Sequence, residues 1–377
     1  MKKTIGKISD VCKVFAGQSP KGTSYNENCL GMEFHQGKKA FGDFFLGKSN
    51  VWTTEITTTA EPGDILMSVR APVGPTNITQ RKICIGRGLA AIRCREKVIP
   101  SFVLYALKNI ENKIEGNNGA VFNSINKKMI EKLPIPIIGK DEQQRIVTYL
   151  DSTFAKIDAV AKNAEKSLND AKALFLSALA KMMEPKEGWE EVSMDELCSI
   201  ESALVNPTKA DYINMLHVGG ANIESYSGKL VNLKTAKEEK LSSGKFFFDN
   251  KAVLYNKIRP YLVKVAKPDF CGLCSADMYP LSPKNKVTRE FLYYILISKD
   301  FTDYAIKSSA RAGMPKINRN SLFAYKTSLP KDYKEQICIT SKLDSIRRGL
   351  ITLESNLTLT LSECAALKQS ILRQTFE

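Results

Sequence analysis

Cationic, amide and hydroxyl side chains recur around Gly- and Pro-containing turns in both halves of this sequence. Arg can form paired hydrogen bonds with guanine and Asn or Gln with adenine, whereas Lys and Ser can contact phosphate. Side chains of these types could therefore bind a nucleic acid. The candidates in the first half are Arg70, Arg81, Lys82, Arg87, Ser124, Asn126, Lys127 and Lys128. The candidates in the second half are Lys257, Arg259, Tyr261, Lys264, Lys267, Arg311, Lys316, Asn318, Arg319 and Asn320.

The charge distribution supports the same interpretation. The chain carries a net charge of +15 over 377 residues. Residues 1–140 hold 21 basic and 11 acidic side chains and residues 184–331 hold 22 and 17, whereas the two remaining stretches are balanced. Basic surface attracts a polyanion and releases its counterions. Any single Lys or Arg could equally be a solvated surface charge, so only the clusters favour a nucleic-acid contact.

The polar clusters belong to a layout that occurs twice. Three dipeptides of the first half return in the second: Ile125-Asn126 as Ile317-Asn318, Glu142-Gln143 as Glu335-Gln336, and Leu150-Asp151 as Leu343-Asp344. From the Glu-Gln pair onward the offset is a constant 193 residues. Duplication on this scale predicts two homologous halves, related by a pseudo-twofold.

Each copy ends in a long helix that must position the polar clusters. Apolar residues alternate at spacings of four and three, which is the pattern of a coiled-coil seam. The predicted seam residues are Ile146, Leu150, Ile157, Val160, Leu174, Ile339, Leu343, Ile346, Leu350, Leu353, Leu357, Leu367 and Ile371. We expect the two helices to form an antiparallel coiled coil; the alternative is two amphipathic helices that each cover their own domain. The remaining sequence mixes short strands and helices, which predicts an α+β fold.

The sequence contains no recognisable motif for catalysis or for binding a metal or a cofactor. It has no Asn/Asp-Pro-Pro-aromatic motif of an amino-methyltransferase and no Gly-rich phosphate loop. Cys271 and Cys274 form a lone Cys-x-x-Cys, without a second pair at zinc spacing. We therefore predict no catalytic residue, no metal and no cofactor. The absence of a long apolar run and of a secretory signal predicts a cytoplasmic protein without a membrane partner.

The motifs resemble a known family, the DNA-specificity subunits of type I restriction-modification enzymes. The resemblance rests on Leu133-Pro134-Ile135-Pro136 before Glu142-Gln143-Gln144-Arg145-Ile146, and on the predicted strand from Gly63 that ends at Arg70. It also rests on the repetition of this layout over essentially the whole chain. The second copy departs from the pattern, because Pro134 has no proline counterpart and Lys334-Glu335-Gln336-Ile337 lacks the Gln-Arg pair.

The resemblance implies two homologous target-recognition domains, at residues 1–137 and 185–331, and two spacer helices, at residues 138–184 and 332–377. Each domain would read one half of a split, asymmetric sequence in double-stranded DNA, and the helices would fix the gap. The implied partners are two modification (methyltransferase) subunits, which carry S-adenosylmethionine, and restriction (endonuclease/translocase) subunits. The chain itself would not be catalytic. The residues leave two alternatives: a coiled-coil scaffold with basic RNA- or protein-binding domains, and a stand-alone DNA-modifying or DNA-cutting enzyme.

Overall fold

The computed structural model describes residues 4–114, 124–309 and 314–377. Its helices are α1 (Ile8–Val11), α2 (Pro100–Ile114), α3 (Lys127–Glu131), α4 (Lys140–Met183), α5 (Met194–Leu197), α6 (Arg289–Ile297), α7 (Lys299–Ser308), α8 (Arg319–Phe323) and α9 (Tyr333–Phe376). The strands of the first half are β1 (Thr4–Lys7), β2 (Cys12–Ala16), β3 (Tyr25–Asn26), β4 (Met32–His35), β5 (Trp52–Thr53), β6 (Thr59–Ala60), β7 (Ile65–Ser68), β8 (Thr76–Ile78), β9 (Ile83–Ile85), β10 (Leu89–Cys94) and β11 (Pro134–Ile137). Those of the second half are β12 (Trp189–Ser193), β13 (Cys198–Ser199), β14 (Leu204–Val205), β15 (Leu216–Val218), β16 (Lys234–Thr235), β17 (Lys245–Phe248), β18 (Val253–Asn256), β19 (Val265–Ala266), β20 (Gly272–Cys274), β21 (Met278–Pro283) and β22 (Lys326–Pro330).

The chain divides into two compact units. Unit 1 comprises Met1–Ala164 with Leu359–Glu377, and unit 2 comprises Glu165–Thr358. Each unit therefore contains one globular region and a part of both long helices, α4 and α9. The α+β class predicted from the sequence is confirmed. Within the described part of the chain, no helix is both long and apolar enough to cross a membrane.

Unit 1 is built on two sheets. An antiparallel sheet has the order β2-β10-β7-β8, and a second sheet has the order β3-β5-β4-β9-β6, in which β4 and β9 are parallel. The first sheet packs on α2, which begins at Pro100, where proline's missing N–H costs nothing. Strand β7 is buried throughout, and β10 is apolar and buried from Leu89 to Ile92, as the middle of a covered sheet requires.

Unit 2 repeats this arrangement. Its antiparallel sheet has the order β13-β21-β18-β19, and its second sheet has the order β14-β17-β20-β15-β16 with β15 and β20 parallel. The two-stranded sheet β12-β22 likewise matches β1-β11 of unit 1. The internal duplication predicted from the sequence is therefore visible in the strand order of both units.

The repeated Glu-Gln and Leu-Asp motifs attach α4 to the globular region of unit 1. Gln143 is buried; its Oε1 accepts from the backbone N–H of Ile99 at 2.9 Å and its Nε2 donates to the backbone O of Ile138 at 3.0 Å. Further along, the hydroxyl of Tyr105 donates to Asp151 at 2.6 Å. These contacts advance together along both helices, so α4 runs in the same direction as α2 here.

The last part of α9 packs on the same helix of unit 1 in the opposite direction. The ring of Phe376 lies 5.6 Å from that of Phe102, measured between centroids. Gln369, earlier in α9, donates to the backbone O of Asn109, later in α2, at 3.3 Å. In unit 1 the parts of α4 and α9 are therefore antiparallel, as the sequence predicts.

Unit 2 uses the same attachment for α9. Gln336 is fully buried, accepts from the backbone N–H of Thr288 at 2.9 Å and donates to the backbone O of Pro330 at 2.9 Å. The hydroxyl of Tyr294 donates to Asp344 at 2.6 Å. Each repeated motif thus has one structural role in both units, which explains why the two copies resemble each other there.

The predicted coiled-coil seam needs a correction at three positions. Val160, Leu174 and Leu367 are 52%, 68% and 51% exposed, so they lie outside the packed face of their helices. In α4 the packed positions lie one residue later, at Ala161 and Phe175. Apolar residues are adjacent at both places, so a strict heptad could follow either register, and the helix period of 3.6 shifts the packed face from a 3.5-residue repeat.

The other predicted seam residues face protein. They are Ile146, Leu150, Ile157, Ile339, Leu343, Ile346, Leu350, Leu353, Leu357 and Ile371, each buried or half-buried. Ion pairs also join the helix parts inside each unit: Lys368 with Asp158 in unit 1, and Lys172 with Glu354 at 3.1 Å in unit 2. The two helices therefore pack on each other as well as on the globular regions.

Candidate nucleic-acid interface

Three chain segments meet in unit 1 beside the end of β7, and we call this place the unit 1 junction. The backbone N–H of Val69 donates to Gly88 O at 3.0 Å, and Val69 O accepts from the N–H of Ile125 at 3.0 Å. Arg70 and Ser124 form a β-bridge directly beside these bonds. The junction therefore brings together candidates that are far apart in the sequence: Arg70, Ser124 and the turn between β9 and β10 that carries Arg87.

Unit 2 has the corresponding junction beside the end of β18. The backbone N–H of Lys257 donates to Asp277 O at 3.2 Å, and Lys257 O accepts from the N–H of Ile317 at 3.1 Å. The backbone N–H of Arg259 donates to Pro315 O at 2.8 Å. Lys257 and Arg259 thus lie next to the segment that leads into α8.

The backbone pattern fixes which residues of the two junctions correspond. Val69 and Lys257 make the same two bonds, so Arg70 corresponds to Ile258. Arg259 corresponds to Ala71, and each of these precedes a proline. The two junctions therefore share a backbone frame but present arginine at positions one residue apart.

The repeated asparagines Asn126 and Asn318 cap short helices. Asn126 Oδ1 accepts from the backbone N–H of Met129 at 3.0 Å, and Asn318 Oδ1 accepts from that of Ser321 at 2.8 Å. This is the interaction that makes asparagine a favourable N-cap. Capping accounts for the repetition of the asparagines whether or not they also contact DNA.

Arg81 is engaged inside unit 1. Its Nε and Nη2 bond to the buried carboxylate of Glu33 at 2.5 and 2.6 Å, and Nη2 also donates to Gly47 O at 2.6 Å. Burial raises the pKa of Glu33, but the hydrogen bonds from Arg81 and from the backbone N–H of Ser49 outweigh it and lower the pKa to about 2. Arg81 thus holds an anion of its own chain.

Several other candidates also have internal partners. Lys82 forms an ion pair with Glu61 at 2.9 Å. Lys267 lies 3.7 Å from the carboxylate of Asp344 and 4.8 Å from the ring centroid of Tyr293, and burial lowers its pKa. Lys82 therefore balances charge at the surface of unit 1, whereas Lys267 also packs against an aromatic ring in unit 2.

The remaining candidates are more accessible. Lys257 and Lys264 are partly exposed, and their ammonium groups donate to backbone carbonyls. Arg311 lies outside the described residues. Besides Lys82, the exposed candidates are Arg70, Arg87, Ser124, Asn126, Lys127, Lys128, Arg259, Tyr261, Lys316, Asn318, Arg319 and Asn320. Many of them lie on the two junctions or on the short helices α3 and α8 that follow them.

Comparison with known proteins shows to which family this repeated architecture belongs. The family described as the type I restriction modification DNA specificity domain matches residues 2–169 and again residues 186–363. The chain belongs to this family. It is a DNA-specificity subunit of the type I restriction-modification class, and such subunits select the sequence and do not catalyse.

Individual relatives agree with this assignment. The type I restriction enzyme EcoDI specificity subunit of Escherichia coli is 27% identical over 366 residues, covering 88% of this chain and 80% of that protein. A MjaX specificity subunit of Methanocaldococcus jannaschii is 40% identical over 169 residues, covering 44% of this chain and 39% of that protein.

Solved structures share the fold of this specificity subunit. A structure describing assembly and conformational transition of a type I restriction-modification system contains a chain with a TM-score of 0.76 and 16% identity, covering 100% of this chain and 98% of that one. The HsdS subunit from Thermoanaerobacter tengcongensis has a TM-score of 0.53 and 17% identity, with 99% and 96% covered.

Proposed function

We propose that units 1 and 2 each read one half of a split DNA sequence, through the junctions described above. The observation that carries this proposal is the pair of junctions, which have the same backbone frame but different side chains. A common frame would present both domains to DNA in the same manner, and different side chains would select different bases. The two half-sites should therefore differ, and the complete site should not be a palindrome.

The exposed candidates would divide this work. Arg70 in unit 1 and Arg259 in unit 2 would contact base edges, since a guanidinium can bond to guanine in the major groove. Lys127, Lys128 and Lys316 would contact phosphates, which position a protein on the duplex. Arg81 would act indirectly, because its donors already hold Glu33.

The paired parts of α4 and α9 would set the distance between the half-sites. Two homologous domains on a rigid spacer should meet the same face of the duplex, with half-site centres about one helical turn, roughly 10–11 bp, apart. Each half-site should span about 3–5 bp, with a gap of about 5–8 bp between them, by the same geometry. The chain would work in the cytoplasm with two modification subunits and with restriction subunits.

The direct test uses methylation mapping. The full chain is expressed with its modification subunits in cells that lack other adenine methylation, and the methylated positions are mapped. We expect a split, non-palindromic motif that disappears when the chain is omitted. The purified chain alone, given S-adenosylmethionine or ATP and magnesium, should neither methylate nor cleave DNA. A continuous palindromic motif, or turnover by the chain alone, would contradict the proposal.

The coiled-coil scaffold with RNA- or protein-binding domains is not favoured. The family match covers both globular regions and names DNA specificity for each.

A further inference from the structure

Beside the unit 1 junction, three loops pack backbone against backbone. The N–H of Gly88 donates to Gln36 O at 3.2 Å, and a Cβ on Gly88 would come within 2.3 Å of that oxygen. A Cβ on Gly17 would come within 2.2 Å of Gly86 O. Only glycine permits approaches this close. The three loops therefore form one compact frame, which fixes the side chains it carries.

This frame presents Gln36 and Arg87 together. Ser19 joins them, because its Oγ accepts from the backbone N–H of Arg87 at 3.2 Å and donates to Gln36 Oε1 at 2.9 Å. Both side chains are exposed. A carbonyl oxygen has two lone pairs, so the Gln36 amide can hold Ser19 and still bond to a ligand.

The two side chains border a cavity of about 730 Å³, a size typical of ligand sites. Lys39 and Lys48 line it with Arg87, and no Asp or Glu is among the described residues that line it. Tyr25 and Phe34 form another part of the wall, with rings stacked at 4.9 Å. The cavity therefore combines three cations with the side-chain amides of Gln36 and Asn50, which suits an anionic polymer whose base edges offer hydrogen-bonding groups.

The buried Glu33 fixes the side of the cavity that carries Lys48. Glu33 Oε1 accepts from the backbone N–H of Ser49 at 2.7 Å. Arg81, which Glu33 holds, donates to Gly47 O at 2.6 Å. The residues on both sides of Lys48 are therefore tied down, and Arg81 is a positioning residue for this wall.

Unit 2 shares one backbone hydrogen bond of this frame but carries different side chains. In unit 1 the N–H of Gly86, after β9, donates to His35 O at the end of β4 at 2.9 Å. In unit 2 the N–H of Ser275 donates to Val218 O at 3.0 Å in the same way. One residue further along each segment, unit 2 carries Gly219 and Ala276 at the positions of the glutamine and the arginine. Unit 2 therefore lacks the glutamine and arginine side chains that unit 1 presents at this place.

We propose that this cavity is a second base-reading place of unit 1 besides Arg70, in which Arg87 bonds to a guanine and Gln36 to a nearby adenine of duplex DNA. Lys39 and Lys48 hold the adjacent phosphates. The proposal rests on the proposed function and assigns part of the base discrimination of unit 1 to two side chains for which unit 2 has Gly219 and Ala276.

The test uses the full chain with its modification subunits and duplexes that carry the site mapped for the wild type. Binding is compared between that site and duplexes with single base-pair changes in each half. Arg87→Ala should lower discrimination at one guanine position by about 10- to 100-fold, and Gln36→Ala should do so at one adenine position of the same half-site. The other half-site should be read as before.

Charge-matched variants separate base reading from attraction to phosphate. Arg95→Ala removes the same charge from an exposed arginine whose guanidinium donates to Ser9 O and does not line the cavity. This variant should leave discrimination unchanged. Lys39→Ala and Lys48→Ala should weaken binding to all sequences alike and lower the slope of log K against log salt by about one each.

The outcomes distinguish this inference from the function on which it rests. If the wild type selects no split site, the proposed function fails. If it selects one and the folded Arg87→Ala and Gln36→Ala proteins, checked by circular dichroism, discriminate as the wild type does, the pocket assignment is wrong. Loss of assembly with the modification subunits at unchanged discrimination would make the cavity a protein-docking site and overturn the proposal. So would tight binding of free dGMP or dAMP that the same variants abolish.

Discussion

At the scale of single residues, Gln143 shows what a repeated polar residue can be for. It belongs to the repeated Glu-Gln motif, and its side chain is buried and bonded to backbone groups. A glutamine amide can satisfy a donor and an acceptor at once. The helix can therefore be attached to the globular region without an unpaired buried backbone group, and the same solution occurs at Gln336.

Replacing Gln143 should consequently destabilise unit 1. Gln143→Ala leaves the N–H of Ile99 and the O of Ile138 without their partner, which costs about 1–3 kcal/mol per buried group. The neighbouring Gln144 is exposed, so Gln144→Ala should change the free energy of unfolding by less than about 0.5 kcal/mol. Urea titration and amide exchange of Ile99 measure both. Equal stability of the two variants would show that the buried bonds contribute nothing.

The lowered pKa of Glu33 predicts that the free energy of unfolding depends on pH. Its pKa is lowered from the ordinary 4.5 to about 2, so its contribution to stability is complete above pH 4.5 and is lost as pH falls through 2. The wild type should therefore exceed Glu33→Gln in free energy of unfolding at pH 4.5, and the excess should shrink as pH falls from 4.5 to 2. An excess that does not change over this range would contradict the ion pair with Arg81.

Sequence reasoning found only part of the candidate site. Arg87 could be named, because an arginine between two glycines at a turn is a visible signal. Gln36 could not, because its partner Ser19 is 17 residues away and the contact depends on loops that meet only in the fold. Arg81 looks like a DNA contact in the sequence, and only the structure shows that its donors hold the carboxylate of Glu33.

At the scale of elements, the long helices were predictable and their packed face was predictable only in part. The heptad pattern predicts both helices and the pairing seen in each unit. It misplaces Val160 and Leu174, because Ala161 and Phe175 follow them directly and sequence alone does not choose between neighbours. The order of the strands was not predictable, since short strands separated by loops can pair in many ways.

A matched pair of leucines in α9 tests the seam. Leu353 is half-buried, whereas Leu359 is 58% exposed. Leu353→Asp places a carboxylate against the apolar face and should cost several kcal/mol if the group stays ionised, while Leu359→Asp should be nearly neutral. Thermal unfolding and co-purification with the modification subunits measure the effect. Equal behaviour of both variants would argue that the face at Leu353 is not packed.

At the scale of the whole molecule, the helices should act as a spacer. Seven residues inserted into α4 after Ala164, together with seven into α9 after Thr358, preserve the heptad and add about 10.5 Å at ~1.5 Å per residue. At ~3.4 Å per base pair, the gap in the methylated site should grow by about 3 bp. Insertion into α4 alone breaks the match between the helices and should abolish modification. If the double insertion leaves the length of the gap unchanged, the helices do not act as the spacer.

The central claim is that each unit reads its own half of the site, and one methylation map tests it directly. Three strains carry the wild-type chain, Arg70→Ala or Arg259→Ala, each with the modification subunits. We expect a split, asymmetric motif for the wild type, relaxed or weakened in one half by Arg70→Ala and in the other half by Arg259→Ala. A single continuous palindrome, or both variants altering the same half, would contradict the account.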